Sequence, residues 1–371
     1  MSEEKSWHGM QEWVHSSELE AVLLTSYQAV TYFAGTHLQS QQVLPDRVAY
    51  ALITADEPVL VVCAIEASQA RAQSGINSIR GYTEFVDVPE QILAQELNKA
   101  GLSSARIGVE MRRMAAASRD ELVAAAPSVT LIGIDDTVEH LQMVKRKSVC
   151  DGLTSAARAT QAAIEAAAAA AAPGATELDL SSSIVAAVAR AGGSPTFCFL
   201  GSGRRALQGH PEASSERLQA GTIWRTDVGG RFEGGLMSDV ARTGVVGKPT
   251  VDQERAFLTV RDAQRAGLEK LRAGARARHV FAAVAETIRG AGYVWEIPHV
   301  GHGLGVGIHE EPIFAPSNDL VLEPGMVVNI EPILLLPDRG EAYHVEDLAV
   351  ITDGGFRLLT TPQTQLLRVA A

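Results

Sequence analysis

A chain of 371 residues is longer than one hydrophobic core usually serves, so two domains are expected. Hydrophobic residues at 46% and charged residues at 20% exclude a disordered chain. A formal net charge of -12 argues against nucleic acid as a partner, because phosphate binding needs clustered Lys and Arg.

No apolar run reaches the roughly eighteen residues of a membrane span, so no membrane partner is expected. The start, Met1 to Lys5, is acidic and polar and lacks the apolar core of a signal peptide. The three cysteines, Cys63, Cys150 and Cys198, are too scattered for a disulfide framework. A cytoplasmic protein is the simplest reading. Trp7 and Trp13 are read as ordinary core packing ahead of an interface or an amphipathic helix face.

From Leu19 to Asp136 short apolar runs alternate with helical stretches. Ala21 to Leu24, Val48 to Ile53 and Val59 to Cys63 read as strands, with Asp56-Glu57-Pro58 as the turn between the last two. Arg106 to Glu110 and Val129 to Ile134 read as two more, with helix between, which predicts an α/β layer. The pattern changes after Glu139. Val149 to Ala172 is dominated by alanine and predicts a long helix stopped by Pro173-Gly174.

Thr176 opens a second helix that runs through Leu178 to Ala191 and closes at Gly192-Gly193. Two further helices are expected over Gln253 to Leu271 and Arg278 to Gly290. Strands are expected over Thr222 to Val228, Met237 to Val246, Met326 to Leu335 and His344 to Thr352. This half therefore reads as α+β, an antiparallel sheet backed by helices.

The acids of this half stand where acids are costly. Asp227 and Asp239 lie in strand-like runs separated by Gly229, Gly230, Gly234 and Gly235, so a tight strand-turn-strand brings the two carboxylates together. Asp is depleted in strand interiors, so each needs a reason. Glu331 and Glu346 also sit in apolar surroundings, where a carboxylate is expensive unless paired or metal-bound. His302 and His309 flank a glycine-rich loop from Gly301 to Pro312, and glycine lets a backbone approach a ligand closely. Four carboxylates and one imidazole suit hard divalent ions: manganese first, with cobalt, zinc or iron as the alternatives. Crowded acids repel without cations. Two metals about 3.5–4 Å apart would neutralise them and share a bridging hydroxide, a nucleophile near neutral pH.

These residues resemble the pita-bread metallopeptidases: prolidase, aminopeptidase P, methionine aminopeptidase and the related creatinase. The ligand order Asp, Asp, His, Glu, Glu carries the resemblance, with Gly301-His302-Gly303, His309-Glu310-Glu311-Pro312 and Ile330-Glu331-Pro332. Tyr32-Phe33-Ala34-Gly35 and the strands after it are similar to the creatinase-type N-terminal domain. The fold implied is α+β. A smaller α/β creatinase-type domain over 1–138 precedes a pita-bread catalytic domain over 139–371, an antiparallel sheet with flanking helices.

The resemblance also implies roles. Asp227 would chelate one metal, Asp239 and Glu346 would bridge both, and His302 and Glu331 would hold the other. Glu331 would shuttle the proton of the bridging water. His309 would contact substrate and the developing oxyanion. Ser202 to His210 resembles the prolidase segment that places a histidine over the substrate, which gives His210 that role. Relatives are commonly homodimers.

Several positions depart from the family pattern. The two Asp ligands are twelve steps apart, one more than usual, which suggests a bulged turn. Gly234-Gly235 replaces Gly-Tyr. Pro298 stands four before the metal histidine, with His299 one step out of phase. His344 stands where an arginine is common, two before the last Glu. All lie outside the ligand set, where they tune substrate and ligand geometry.

The function expected is a dinuclear-metal hydrolase acting as an Xaa-Pro peptidase on short peptides. The alternative is a hydrolase or lyase of the same fold acting on a small amide, amidine or zwitterion. A peptide-binding pseudo-enzyme is the third reading, and such relatives usually lose ligands.

Overall fold

Short apolar segments and alanine-rich stretches sort into strands and helices much as their periodicity predicts. The structure, a computed structural model, describes residues 5–44 and 46–371, and the acidic start at Met1 to Glu4 lies outside the described residues. The described residues fall into two compact units, one running to Gln142 and one beginning at Met143.

The first unit contains α1 (His8–Ser16), β1 (Ala21–Leu24), α2 (Tyr27–Ala34), α3 (Ser40–Val43), β2 (Tyr50–Thr54) and β3 (Val59–Cys63). Then follow α4 (Ala67–Gln73), β4 (Ser78–Tyr82), α5 (Pro89–Lys99), β5 (Arg106–Val109), α6 (Ala116–Ala125), β6 (Thr130–Gly133) and α7 (Asp135–Met143). The strands form one sheet in the order β4-β3-β2-β1-β5-β6. β2 runs antiparallel to both neighbours, and the other pairings are parallel. Its apolar core is built from Leu23, Leu52, Val61 and Ile107 with Leu93 and Leu97 of α5. Sequence reading missed β4, whose Ser-Ile-Arg-Gly-Tyr mixes polar and apolar residues without a continuous apolar run. Trp7 is buried and Trp13 half-buried.

The second unit opens with α8 (Lys147–Ala170) and α9 (Glu177–Arg190). Thr176 caps α9 with a reciprocal box: its hydroxyl accepts from Asp179 N–H while the Asp179 carboxylate accepts from Thr176 N–H. β7 (Ser194–Ser202), β8 (Ile223–Arg231) and β9 (Met237–Val246) follow, then α10 (Val251–Leu268) and α11 (Ala277–Gly290). The chain ends with β10 (Val327–Ile330), β11 (Ile333–Leu336), β12 (Glu341–His344), β13 (Asp347–Thr352), β14 (Gly355–Leu358) and β15 (Leu367–Val369). β15-β9-β8-β7 make one sheet, β10-β13-β14 a second and β11-β12 a third. Among the described residues no helix is long and apolar enough to cross a membrane.

This is the α+β arrangement expected of the second half, with four corrections to the sequence reading. Met326 to Leu335 is two strands in different sheets, because Pro332 has no N–H to donate and holds Glu331 off the ladder. The run from His344 to Thr352 likewise breaks at Val345-Glu346, between β12 and β13. The sheet is not wholly antiparallel, since β15 pairs with β9 in parallel. No bulge interrupts the β8–β9 ladder: the extra step between the aspartates is taken up by the loop 232–236, where Gly234 and Gly235 have φ of 71° and 76°.

One face of this sheet is covered by α8, whose Thr160 hydroxyl lies 2.7 Å from that of Ser238 in β9. The core on the far side joins Phe257, Val260, Val280 and Val284 of α10 and α11 to Val328, Ile330, Val345 and Ala349.

Candidate metal centre

Strand pairing places the first two acids. Asp239 is opposite Gly229 and Asp227 opposite Ala241, so the two aspartates are diagonal neighbours on one face of β8 and β9. Phe199 of β7 is opposite Asp227, and Phe197 is opposite Gly229. A Cβ at Gly229 would stand 2.1 Å from the Phe197 ring, so the glycine makes room for that ring beside Asp239. Phe197 and Phe199 stack with centroids 5.2 Å apart, and His210 lies 4.5 Å from Phe199. These two phenylalanines are part of the site face and were missed in the sequence. β7 was not read as a strand there, because Ser-Pro-Thr at its start obscured it.

The two glutamates are brought in at strand breaks. Glu331 donates its N–H to Val300 O at 2.8 Å, and Glu346 donates to Ala241 O at 3.1 Å. Buried Arg242 fixes the second break. It donates to Glu346 O at 2.5 Å and to the Asp347 carboxylate at 3.0 Å. His302 is held by its own loop: its carbonyl accepts from Asn329 N–H at 2.8 Å. Gly301, at φ 148°, needs to be glycine because a Cβ there would fall 2.0 Å from Asn329 O.

Donor atoms converge as a result. Asp227, Asp239 and Glu346 offer oxygens within 4.8 Å of one another, and so do His302, Glu331 and Glu346. Glu346 belongs to both sets. His302 Nε2 is 3.2 Å from Glu331 Oε1 and 3.6 Å from Asp239 Oδ2. His309, exposed at the rim, packs against His302 with centroids 4.0 Å apart and the rings tilted by 38°, and completes a third set with Asp239 and His302. All five predicted ligands and His309 therefore meet. His210 does not reach the acids through a polar contact; it approaches through Phe199.

Two histidines seen in the sequence as departures also face the cluster. His299, one step out of phase, puts Nδ1 3.5 Å from Glu331 Oε1. His344 puts Nε2 3.4 Å from Glu331 Oε2.

The electrostatics suit divalent cations. Asp227 Oδ1, Glu331 Oε1, both oxygens of Glu346 and His302 Nε2 are buried and make no hydrogen bond. Such groups are costly without a partner. Burial pushes the Asp239 carboxyl well up, with Glu346 and Asp227 adding to it. Burial does the same to Glu346, with Glu331 and Asp227 adding. Burial opposes ionisation of Glu331 as well, but the His302 and His344 imidazoles outweigh it and hold that carboxyl well below the usual range. His302 Nδ1 lies 3.0 Å from Gly303 O, and a carbonyl only accepts. Nδ1 therefore donates to that carbonyl, and Nε2, the atom facing Glu331, is the one that would ligate once a metal displaces its proton. Desolvation and the neighbouring His302 push His309 down, so it is neutral at pH 7 and has an N–H to donate.

Comparison with known proteins agrees with this geometry. Residues 151–353 match the metallopeptidase family M24, and residues 8–144 match the creatinase/prolidase N-terminal domain. A relative from Mycobacterium tuberculosis, the probable dipeptidase PepE, is 35% identical over 222 residues, which span 59% of this chain and 59% of that one. An X-Pro aminopeptidase structure from Thermotoga maritima superposes with a TM-score of 0.87 at 22% identity, covering 99% of this chain and 100% of that one. An Xaa-Pro dipeptidase structure from Bacillus anthracis gives 0.86 at 25% identity, covering 98% and 99%.

Proposed function

The chain belongs to metallopeptidase family M24, and from that premise we propose that it is an Xaa-Pro peptidase of the prolidase or aminopeptidase P type. The single observation that carries the metal-dependent reading is the set of buried, unbonded oxygens on Asp227, Glu331 and Glu346 around His302 Nε2. The Xaa-Pro reading is supported by the activities named for the Thermotoga and Bacillus proteins. They favour a peptide over the small amide, amidine or zwitterion of the alternative.

Asp227, Asp239, His302, Glu331 and Glu346 would hold the two ions, with Asp227 on one side of the cluster, His302 and Glu331 on the other, and Asp239 and Glu346 shared between them. Manganese is the ion we propose first, with cobalt, zinc or iron as alternatives. When bound, the two ions supply a hydroxide nucleophile near neutral pH and polarise the scissile carbonyl. Glu331 carries a proton on its carboxylate oxygen from the attacking water to the leaving proline nitrogen. His309, neutral, donates its N–H to the carbonyl oxygen as negative charge develops there. His210 covers the substrate, and the Phe197–Phe199 stack offers an apolar face on which a proline ring packs.

We place the domain boundary at 138/139, giving a creatinase-type domain before the catalytic one. A cytoplasmic homodimer is the remaining part of the proposal. The three cysteines are free, which supports a reducing compartment, and the dimer follows its pita-bread relatives.

The test is turnover by the manganese-loaded protein on Xaa-Pro dipeptides, Xaa-Pro tripeptides, non-proline dipeptides and small amides including creatine, read by mass spectrometry. Cleavage confined to Xaa-Pro bonds is the expected result. Protein carrying two metals but cleaving no peptide would overturn it.

A further inference from the structure

The loop that carries His210 is built more firmly than an exposed surface loop needs to be. Glu177, fully buried at the start of α9, grips both ends. Its carboxylate accepts from Ser202 N–H at 2.7 Å and the Ser202 hydroxyl at 2.8 Å, and from Ser214 N–H at 3.0 Å and the Ser214 hydroxyl at 2.8 Å. The return limb lies along the outer edge of β7, where Leu200 N–H donates to Pro211 O at 2.8 Å.

The middle of the loop is held by Arg225. This side chain projects from β8 on the same face as Asp227, two residues before it, and is 1% exposed. Its Nε donates to Ala206 O at 2.9 Å, and its Nη2 donates to Gly209 O at 2.8 Å and to Gln208 O. Among the described residues it has no carboxylate within ion-pair reach. A buried cation without an ion pair is costly, so its hydrogen bonds to the loop carbonyls are what compensate the charge.

A guanidinium is suited to this task because its donors form a rigid planar fork, which three carbonyls of one loop can share. Gly201 is the residue opposite Arg225 across the ladder, and a Cβ there would stand 2.8 Å from Pro211 Cβ and 3.0 Å from Arg205 C. The loop thus lies directly over the β7–β8 pair at the level of Arg225.

The connections close a circuit. Asp227 is opposite Phe199, the Phe199 ring packs against His210 at a tilt of 38°, and the three carbonyls upstream of His210 are tied by Arg225 back to the strand that carries Asp227. We propose that Arg225 is a positioning residue that sets the height and angle of His210 over the site by solvating its buried charge with the 206–209 carbonyls. The proposal rests on the substrate-covering role read for His210. It predicts that Arg225 acts on substrate through His210 and on nothing else in the centre.

The experiment uses the full-length manganese-loaded protein and the substitutions Arg225→Met, Arg225→Lys and His210→Ala, alone and combined. KM and kcat for an Xaa-Pro dipeptide, bound metal, and backbone hydrogen exchange over 203–212 are measured. Arg225→Met raises KM about tenfold, more than it lowers kcat, because a misplaced contact residue weakens substrate engagement. It leaves two metals bound and speeds exchange in the loop by at least about tenfold, the loss of charge-assisted bonds. Arg225→Lys, which keeps the charge but not the fork, falls between the two. Combined with His210→Ala, Arg225→Met adds little, since both act through one contact.

Unchanged loop exchange in Arg225→Met, or KM effects that multiply in the double variant, would overturn the proposal. If Arg225→Met does not fold, Arg225→Lys carries the same comparison at smaller amplitude. Should the parent protein cleave no Xaa-Pro peptide, the functional reading fails by itself, and the exchange measurement still decides whether Arg225 holds the loop.

Discussion

His302 Nε2 and Glu331 Oε1 lie 3.2 Å apart, buried, and neither makes a hydrogen bond. Two acceptors so placed repel unless a proton or a metal ion lies between them. Binding that favours the folded state raises its stability by mass action, by about 4 kcal/mol at a thousandfold excess over Kd. Saturating manganese should therefore raise the Tm of chelator-treated protein by on the order of 10 °C. Differential scanning calorimetry with and without EDTA measures this. A Tm insensitive to both treatments would rule out a metal in this cluster.

Glu331 is asked to do two things, to ligate and to carry a proton. Glu331→Ala should lower kcat by at least about 10³-fold, within the range found for lost general acid–base groups. The fold should persist, because Glu331 contributes mainly its backbone bond to Val300 O, which alanine keeps. Steady-state kinetics and far-UV circular dichroism are the two readings. Retention of full activity by a folded Glu331→Ala variant would rule out the metal mechanism proposed above.

Most of the centre could be read from the sequence because its signals are local. An Asp amid Val and Thr, or a His between two glycines, violates strand and loop preferences on its own. The long helices showed for the same reason: alanine content and the Thr176 cap need no distant partner. What stayed hidden depends on register. That Gly229 exists to admit Phe197, or that His299 and His344 both reach Glu331, follows only once strands are paired and loops closed. The split at Glu331-Pro332 was present as a proline but was overridden by the apolar run around it.

Gly229 offers a direct test of that register. Adding a methyl in Gly229→Ala places a Cβ 2.1 Å from the Phe197 ring, so the stack with Phe199 has to shift. Overpacking of this kind costs about 1–3 kcal/mol. Metal affinity should fall as well, because Asp239 is the residue opposite Gly229. Removing the obstacle in Gly229→Ala/Phe197→Ala should recover part of the loss, a coupling between neighbours that a double-mutant cycle in urea detects. Strict additivity of the two substitutions would mean that the ring and the glycine do not meet.

Glu177 carries the pH dependence of the His210 loop. Its carboxylate is fully buried and accepts from Ser202, Ser214 and Arg205, the last at 3.0 Å. Burial works against the charge, but the Ser214 and Ser202 bonds outweigh it and the net direction is down. A depressed pKa means that the folded state holds its proton less tightly than the unfolded one. The stabilisation is thus complete above the ordinary carboxylate value of about 4.3 and fades as pH falls through the lower folded value. Glu177→Gln removes the charge while keeping the shape, at a cost of about 1–3 kcal/mol near neutral pH for the weakened charged bonds. Urea denaturation at stepped pH should show the gap between parent and Glu177→Gln closing below about pH 4. A gap that stays constant, or widens with acid, would mean that Glu177 is protonated in the native protein and that the loop is held without its charge.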